Sequence, residues 1–406
     1  MTRSINDVTV VDGVPSGRMV TLSGSAVSGA RGRDPEVVEH WHGEASLTVD
    51  GEHETRVGLL FAAAATAGAT AVVEFLLPLW AGDRLGASPA VIGAIVAVQV
   101  LVALLVRPSV GRLTDRGGRG LPAASAGIVI AIAMVLYSTA DGYVPVFAGA
   151  ALAGLGSALF WVPVQTHIAD LGGSAQAYGR LFAFQTRGSL IGFVCAFTLL
   201  ARTGYSTVFL CAAGAVTVAA LLVISAHLPP GRHRGTTSVA GLNRRLLPVT
   251  LLVGVTSLAQ TGLGLILLLH LQRHFGLQPA QIGLVLGPGA IMLALAGGRT
   301  HRLTERLGRQ TTLMIATAST GVMAVVLAFA ANTVIVTVAW AIAAASIAAS
   351  VPVEQAAIAA LSGDGGGQGF SVYGAAAMVG AFLGPAMFGV LYGVAGSRPA
   401  SSQRRW

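Results

Sequence analysis

Two side chains in this chain carry charge where charge is expensive. Glu74 lies inside a long apolar stretch, and Arg187 lies about a third of the way through another. Ionisable groups at such depth mark candidate ion or solute paths, because hydrocarbon offers them no partner. Two readings of the pair stand side by side. Either Glu74 pairs with Arg187 or takes up and releases a proton, or each is satisfied locally by water or a polar neighbour and serves packing. Trp161, Gln165, Gln260 and Glu354 are further path candidates on polar and aromatic character. Gln99, Gln185, Gln272, Gln355 and Tyr373 are weaker ones. Phe160 precedes Trp161, so packing outweighs a solute platform there. Glu354 falls near one end of its stretch, so a gate contact and a ligand contact weigh equally.

Other chemistries lack their residues. His167 and Asp170 have the spacing H-x-x-D, but a helix end facing arginines outweighs a metal site. The run Glu39-His40-Trp41-His42-Gly43-Glu44 has no fixed ligand spacing and reads as a solvated segment. No H-E-x-x-H, G-x-S-x-G or Walker A motif occurs. The glycine-rich run 362–369 lacks a lysine and reads as a linker, not a phosphate cradle. The sequence therefore leads us to expect no enzyme, no cofactor and no metal. Cys195 and Cys211 both lie in apolar runs, which argues against a disulfide framework.

The most specific signal is a repeated loop. Gly111-Arg112-Leu113-Thr114-Asp115-Arg116-Gly117-Gly118-Arg119 recurs further on as His301-Arg302-Leu303-Thr304-Glu305-Arg306-Leu307-Gly308-Arg309, with six identities and an Asp115/Glu305 exchange. Pro163-Val164 recurs as Pro352-Val353, and Ile168-Ala169-Asp170-Leu171 as Ile358-Ala359-Ala360-Leu361, at nearly the same shift in numbering. Duplicated halves in a helical membrane protein are a mark of secondary transporters.

The elements that hold these residues are apolar. Of 406 residues 54% are hydrophobic and 10% charged, with a mean hydropathy of +0.73. That surplus is too large to bury in a water-soluble fold. Eleven stretches are long enough to cross a membrane as helices, at about 57–80, 88–109, 121–140, 143–166, 178–200, 206–226, 247–271, 278–298, 311–330, 333–356 and 370–394. Helices are expected because each satisfies its own backbone groups.

Arginine placement orients them. With residue 57 in the cytoplasm, thirteen loop arginines lie inside and three (Arg84, Arg202, Arg273) outside. The net charge of +8 therefore reflects membrane topology rather than a nucleic-acid surface. The chain has no lysine, which fits a GC-rich bacterial gene. Residues 1–56 hold nine acids against five arginines and no apolar leader, and are expected to lack regular structure.

The loop at 111–119 resembles the G-x-L-x-D-R-x-G-R motif of the major facilitator superfamily, matching at Gly111, Leu113, Asp115, Arg116, Gly118 and Arg119. The later copy, with Arg302, Glu305, Arg306, Gly308 and Arg309, is a degenerate form of it. The resemblance covers about 57–394. Leu76–Leu79 together with Arg107–Gly111 look like the family's bacterial efflux permeases. The resemblance implies that the loop is a gate packing the second helix against the eleventh. Asp115 would latch onto the start of the eleventh helix near Gly369–Ser371, and Asp170 would pair with Arg112 or Arg116. Plain topology-setting charge is the other reading of the same residues. Helices 1, 4, 7 and 10 line the cavity in that family, which favours Glu74, Trp161, Gln165, Gln260 and Glu354. Two features depart from its drug/proton antiporters. The arginine of their fourth helix is absent from 150–156, and G-x-x-x-G-P occurs intact only at Gly380–Pro385, Gly188–Phe193 lacking the proline.

The expectation is thus an all-α, multi-pass membrane protein of two halves, six helices and then five. The tail is 1–56, the halves are 57–226 and 247–396, a linker covers 227–246, and a short end 397–406. It would sit in the bacterial cytoplasmic membrane with a cytoplasmic N-terminus. It would act as a monomer, with lipid, a small solute and protons as its partners and no nucleic acid. Efflux by alternating access is the leading function. Solute uptake is an alternative. So is a truncated or regulatory protein without a transport cycle, because no twelfth apolar stretch follows Gly396.

Overall fold

The computed structural model describes residues 35–170, 175–226, 240–296, 306–362 and 366–396. Eleven long helices make up these residues, and no strand occurs among them. They are α1 (Pro35–Arg84), α2 (Pro89–Gly117), α3 (Gly120–Thr139), α4 (Tyr143–Asp170), α5 (Ala175–Thr203), α6 (Tyr205–Ser225), α7 (Ala240–Arg273), α8 (Pro279–Ala296), α9 (Arg309–Phe329), α10 (Thr333–Ser362) and α11 (Gly366–Gly396). Ten carry a stretch long and apolar enough to cross a membrane, beginning with Val57–Arg84. The exception, α8, has 18 residues and spans about 27 Å, at the short end of what a bilayer requires.

The chain divides between Glu52 and His53 into two units, and all ten candidate spans lie in the second. Helix α1 begins at Pro35, inside the stretch expected to lack regular structure. Proline suits the first helical turn, where a missing N–H costs nothing. Residues 1–34, 227–239 and 397–406, with the tail, linker and end segment expected there, lie outside the described residues.

The sequence repeat is a structural repeat. The shift in numbering that carries Gly111 to His301 also carries Pro89, at the start of α2, to Pro279, at the start of α8. It carries the end of α3 at Thr139 to the end of α9 at Phe329, and the start of α4 at Tyr143 to the start of α10 at Thr333. The turns match as well. Gly86 (φ 58°) and Gly276 (φ 63°) precede α2 and α8, and Gly118 (φ 90°) and Gly308 (φ 80°) precede α3 and α9. Left-handed φ is cheap only for glycine, so these turns are built into the sequence. Helices α1–α5 pair with α7–α11 in this register. Helix α6 has no mate among the described helices.

Glycine faces set the packing. Helix α5 lies so close to α1 that a β-carbon on Gly188 would overlap the backbone of Ala64, and one on Gly192 that of Gly68. In the second half Gly380 meets Gly254 and Gly384 meets Leu258, which seats α11 on α7 in the same way. Small-x-x-x-small faces allow such approach, where dispersion replaces the hydrophobic effect as the glue. Between the halves, Gly93 of α2 abuts Pro385 of α11, and Gly389 abuts Pro89.

The buried core divides unevenly. One cluster joins both halves, with Leu76, Leu77 and Trp80 of α1, Phe193 and Phe197 of α5, Leu267–Leu269 and Leu271 of α7, and Ile282 and Leu286 of α8. A second cluster, nearer the 111–119 loop, holds only first-half residues, including Leu59, Ala63, Ala126, Phe160, Val164 and Val223. Among the described residues, the core shared by both halves thus lies at the end distal to the loop, and the cluster nearer the loop belongs to the first half.

Gly192→Val should destabilise the protein by more than about 2 kcal/mol, because overpacking here meets main chain and cannot be relieved by a rotamer change. Gly214→Ala on α6, with nothing near it, should be neutral or slightly stabilising. Thermal melts in detergent would compare the two. Equal melting temperatures would show that the α1–α5 approach is loose.

Candidate functional site

The loop motif is built as helix end, glycine turn, arginine, helix start. Gly111 and exposed Leu113 lie in the last turns of α2, and Thr114 Oγ1 donates to the Val110 carbonyl at 2.8 Å. Gly118 reverses the chain, and Arg119 is buried at the head of α3. In the second copy Arg306 is exposed and Gly308 makes the same turn before α9. Asp115, Arg116 and Asp170 fall in the described helices α2 and α4, and Arg309 starts α9, but their side chains lie outside the description. Arg302 and Glu305 lie outside the described residues altogether. The expected partners of Asp115 and Asp170 are therefore not among the contacts below. Arg112 Nε donates to the Pro108 carbonyl of its own helix at 3.3 Å.

Arg107, which the sequence presents only as loop charge, does more. It sits inside the second span, Pro89–Thr114, and reaches across the bundle. Its Nη2 donates to Gln165 Oε1 of α4 at 2.9 Å, and its Nη1 donates to Met378 Sδ of α11 at 3.0 Å. One guanidinium thus ties α2 and α4 of the first half to α11 of the second. Its fork geometry suits two divergent acceptors. The signal available in the sequence is its position ahead of Pro108 in an unbroken helical pattern.

The distal end is held by different bonds. Gln272 Nε2 donates to the Leu79 carbonyl at 3.0 Å, and Arg273 donates to the Ala87 carbonyl. Both join α7 to the end of α1 or the turn after it. By sequence Arg273 is no more than a loop arginine. Glycine at position 82 leaves room for Gln272.

Glu74 lies between these two ends. Its side chain is exposed. Arg187 is exposed too, but it does not pair with Glu74. The parallel register of α1 and α5 puts Gly188 beside Ala64. Arg187 therefore sits about eleven residues below Glu74, roughly 16 Å along the axis. The expected ion pair is corrected by that depth difference. Neither side chain has a hydrogen-bond or ion-pair partner among the described residues.

The remaining candidates separate into two places. Half-buried Trp161 packs edge-to-face on Phe160 at 4.9 Å, and exposed Gln165 accepts from Arg107. Both lie on α4. Gln260 and Glu354 lie elsewhere, lining a cavity of about 320 Å³ between α7, α9 and α10. Glu354 is buried there, and the Tyr373 hydroxyl of α11 donates to its Oε2 at 3.2 Å. Arg107, which binds Gln165, also comes up to Gly374, next to the Tyr373 that binds Glu354.

Comparison with known proteins agrees with this architecture. The family profile described as Major Facilitator Superfamily matches residues 59–255 and 249–401. Among solved structures, a bacterial homolog of the human lysosomal transporter Spinster, in an inward-facing and unoccupied conformation, superposes with a TM-score of 0.70 at 16% identity, covering 85% of this chain and 83% of that one. The same homolog in an inward-facing, occupied conformation gives 0.67 at 16% identity, over 84% and 81%. The nucleoside transporter NupG gives 0.65 at 12% identity, over 84% of this chain and 91% of that one. At such identities the likeness concerns the fold alone. No curated protein matches the chain. With a family profile over both of its repeated halves, and a fold shared with transporters of that kind, this chain belongs to the major facilitator superfamily.

Proposed function

We propose that this protein is a secondary active transporter that exports a small organic solute from a bacterium by alternating access, driven by protons through Glu74. Its N-terminus and the 111–119 loop face the cytoplasm, a placement supported by the thirteen-to-three distribution of loop arginines. The reading rests above all on one observation. The core shared by both halves lies at the distal end, the described cluster at the loop end belongs to the first half, and Glu74 stands between them on α1 with an exposed carboxyl. That arrangement supports a carrier whose loop end opens toward the cytoplasm. Rocking of one half against the other about this region would open the opposite side. No ATP-binding motif is present in the sequence, which favours a gradient as the energy source.

Coupling needs a group whose proton affinity differs between the two openings, since a proton that binds both states equally shifts nothing. Glu74 meets that need, because rocking would change its exposure to water. Glu74→Gln mimics a carboxyl that cannot release its proton. In proteoliposomes it should abolish solute accumulation against a gradient, while exchange without a pH gradient stays within about twofold of the parent. Accumulation that persists in Glu74→Gln under an imposed pH gradient would remove Glu74 as the coupling site. A panel of drugs and metabolites, screened with and without the gradient, supplies the solute for this test.

The gate has two parts. Arg107 is the part that crosses between halves, and Asp115 is the part the motif implies. Arg107→Ala loses both bonds, so the loop end should open more often. A cysteine at Trp161, one turn deeper than Gln165, should then label at least about tenfold faster, the worth of one hydrogen bond to a charge. Unchanged labelling would make Arg107 a static strut. Asp115→Asn keeps size and removes charge. It should lower initial transport rates about tenfold at unchanged membrane levels, the scale of one charge-assisted bond. Equal rates would leave the loop with topology alone as its task.

A further inference from the structure

Helix α5 carries a charge on the side it turns away from its neighbours. Gly188 and Gly192 press on α1, Phe193 meets Phe75 of α1 edge-on at 4.9 Å, and Phe197 lies against Gly283 of α8. Those contacts occupy one side of the helix. On the other, Arg180, Arg187, Ile191, Val194, Thr198 and Arg202 recur at three-, four- and seven-residue steps, so they share a face. All six are exposed, Ile191 at 64% and Val194 at 51%. In a helix that crosses a membrane, an open face with such apolar side chains is the one that meets lipid.

Arg187 is out of place on that face. Among the described spans, Glu74, Arg107 and Arg187 are the charges that lie more than five residues from either end. Arg107 is bound to Gln165 and Met378. Arg187 lies seven residues beyond Arg180, the loop-side end of its span, which is roughly 10 Å of helix. Neither α5 nor the adjoining α8 contains an acid to neutralise it. A charge at that depth needs a partner, and long basic side chains find one by reaching for the interface. Helical side chains lean toward the N-terminus, which for α5 is the loop end, so Arg187 leans toward Arg180. Between their levels Phe184 packs edge-to-face on exposed Phe61 of α1 at 5.7 Å, which gives the same surface an aromatic flank.

We infer that Arg180 and Arg187 form a binding site for the head group of an anionic phospholipid, a phosphate diester with a net negative charge, in the leaflet on the loop side. The phosphate sits between the two guanidiniums, whose forks suit its oxygens. An acyl chain runs along Ile191 and Val194 toward the bilayer centre. Two basic groups without an acid beside them favour a net-negative lipid over a zwitterionic one. A free anion shares the phosphate chemistry, but only a lipid carries its phosphate on chains that belong at this depth. The inference rests on the exposed face of α5 and stands whatever solute is carried and whether or not Glu74 couples protons.

The full chain in neutral detergent is offered equal amounts of phosphatidylglycerol and phosphatidylcholine, and native mass spectrometry reads the lipid it retains. The parent should prefer phosphatidylglycerol by at least about fivefold, the scale of one basic group at an anionic membrane surface. Arg187→Gln and Arg180→Gln should each cut that preference to about twofold or less. Arg202→Gln, which removes the same charge from the far end of the stripe, should leave it unchanged. Without lipid, Arg187→Gln should melt no lower than the parent, because no described residue binds its guanidinium. A lower melting temperature would place that guanidinium inside the bundle and overturn the site. No preference in the parent, an unchanged preference in Arg187→Gln, or an equal loss in Arg202→Gln would do the same. So would displacement of the bound lipid by millimolar inorganic phosphate, which would make a free anion the ligand.

Discussion

The fold depends on main chain meeting main chain. Helices in lipid gain nothing from hiding apolar side chains from one another, so they hold together through close van der Waals approach. Here that approach occurs at Gly188 and Gly192 of α5 against α1, and at Gly380 and Gly384 of α11 against α7. Each seam defines one half. The register it sets, residue 188 beside residue 64, fixes the depth of every other side chain on α1 and α5. It is the reason Glu74 and Arg187 stand at different levels and answer to different surroundings.

The halves are joined less tightly than each is built. Glycine contacts between α2 and α11, a mixed apolar core, and the bonds of Gln272 and Arg273 to backbone carbonyls fuse them at the distal end. At the loop end, among the described residues, Arg107 reaches from α2 to α4 and α11. Few bonds of modest worth can be broken and remade, whereas a dry core cannot be parted without large cost.

Duplication also makes differences informative. Two halves in constant register predict one another's packing, position by position. Where both copies are buried, as at Ala126 and Ala316, the environment is shared. Where only the first is buried, as at Gly127 and Thr317, a neighbour present in one half has no counterpart among the described residues of the other. The pair Val164 and Val353, buried in both halves, is another shared environment.

The sequence by itself determined the fold class, the family resemblance, the number of long helices and the repeat. Each rests on local and periodic properties, namely hydropathy over about 20 residues, arginine placement and glycine turns. It also held the depth of Glu74 and Arg187, since counting from the start of each span separates them. Only the tertiary structure could decide which candidates meet. Arg107 reads as a charge at a span end, because which helices its fork reaches is set by packing, which hydropathy does not see. Gln260 and Glu354 fall into the α7/α9 groove rather than beside Glu74, because the face a helix turns inward depends on which neighbours it has. That is a property of the assembled bundle, and no segment carries it alone.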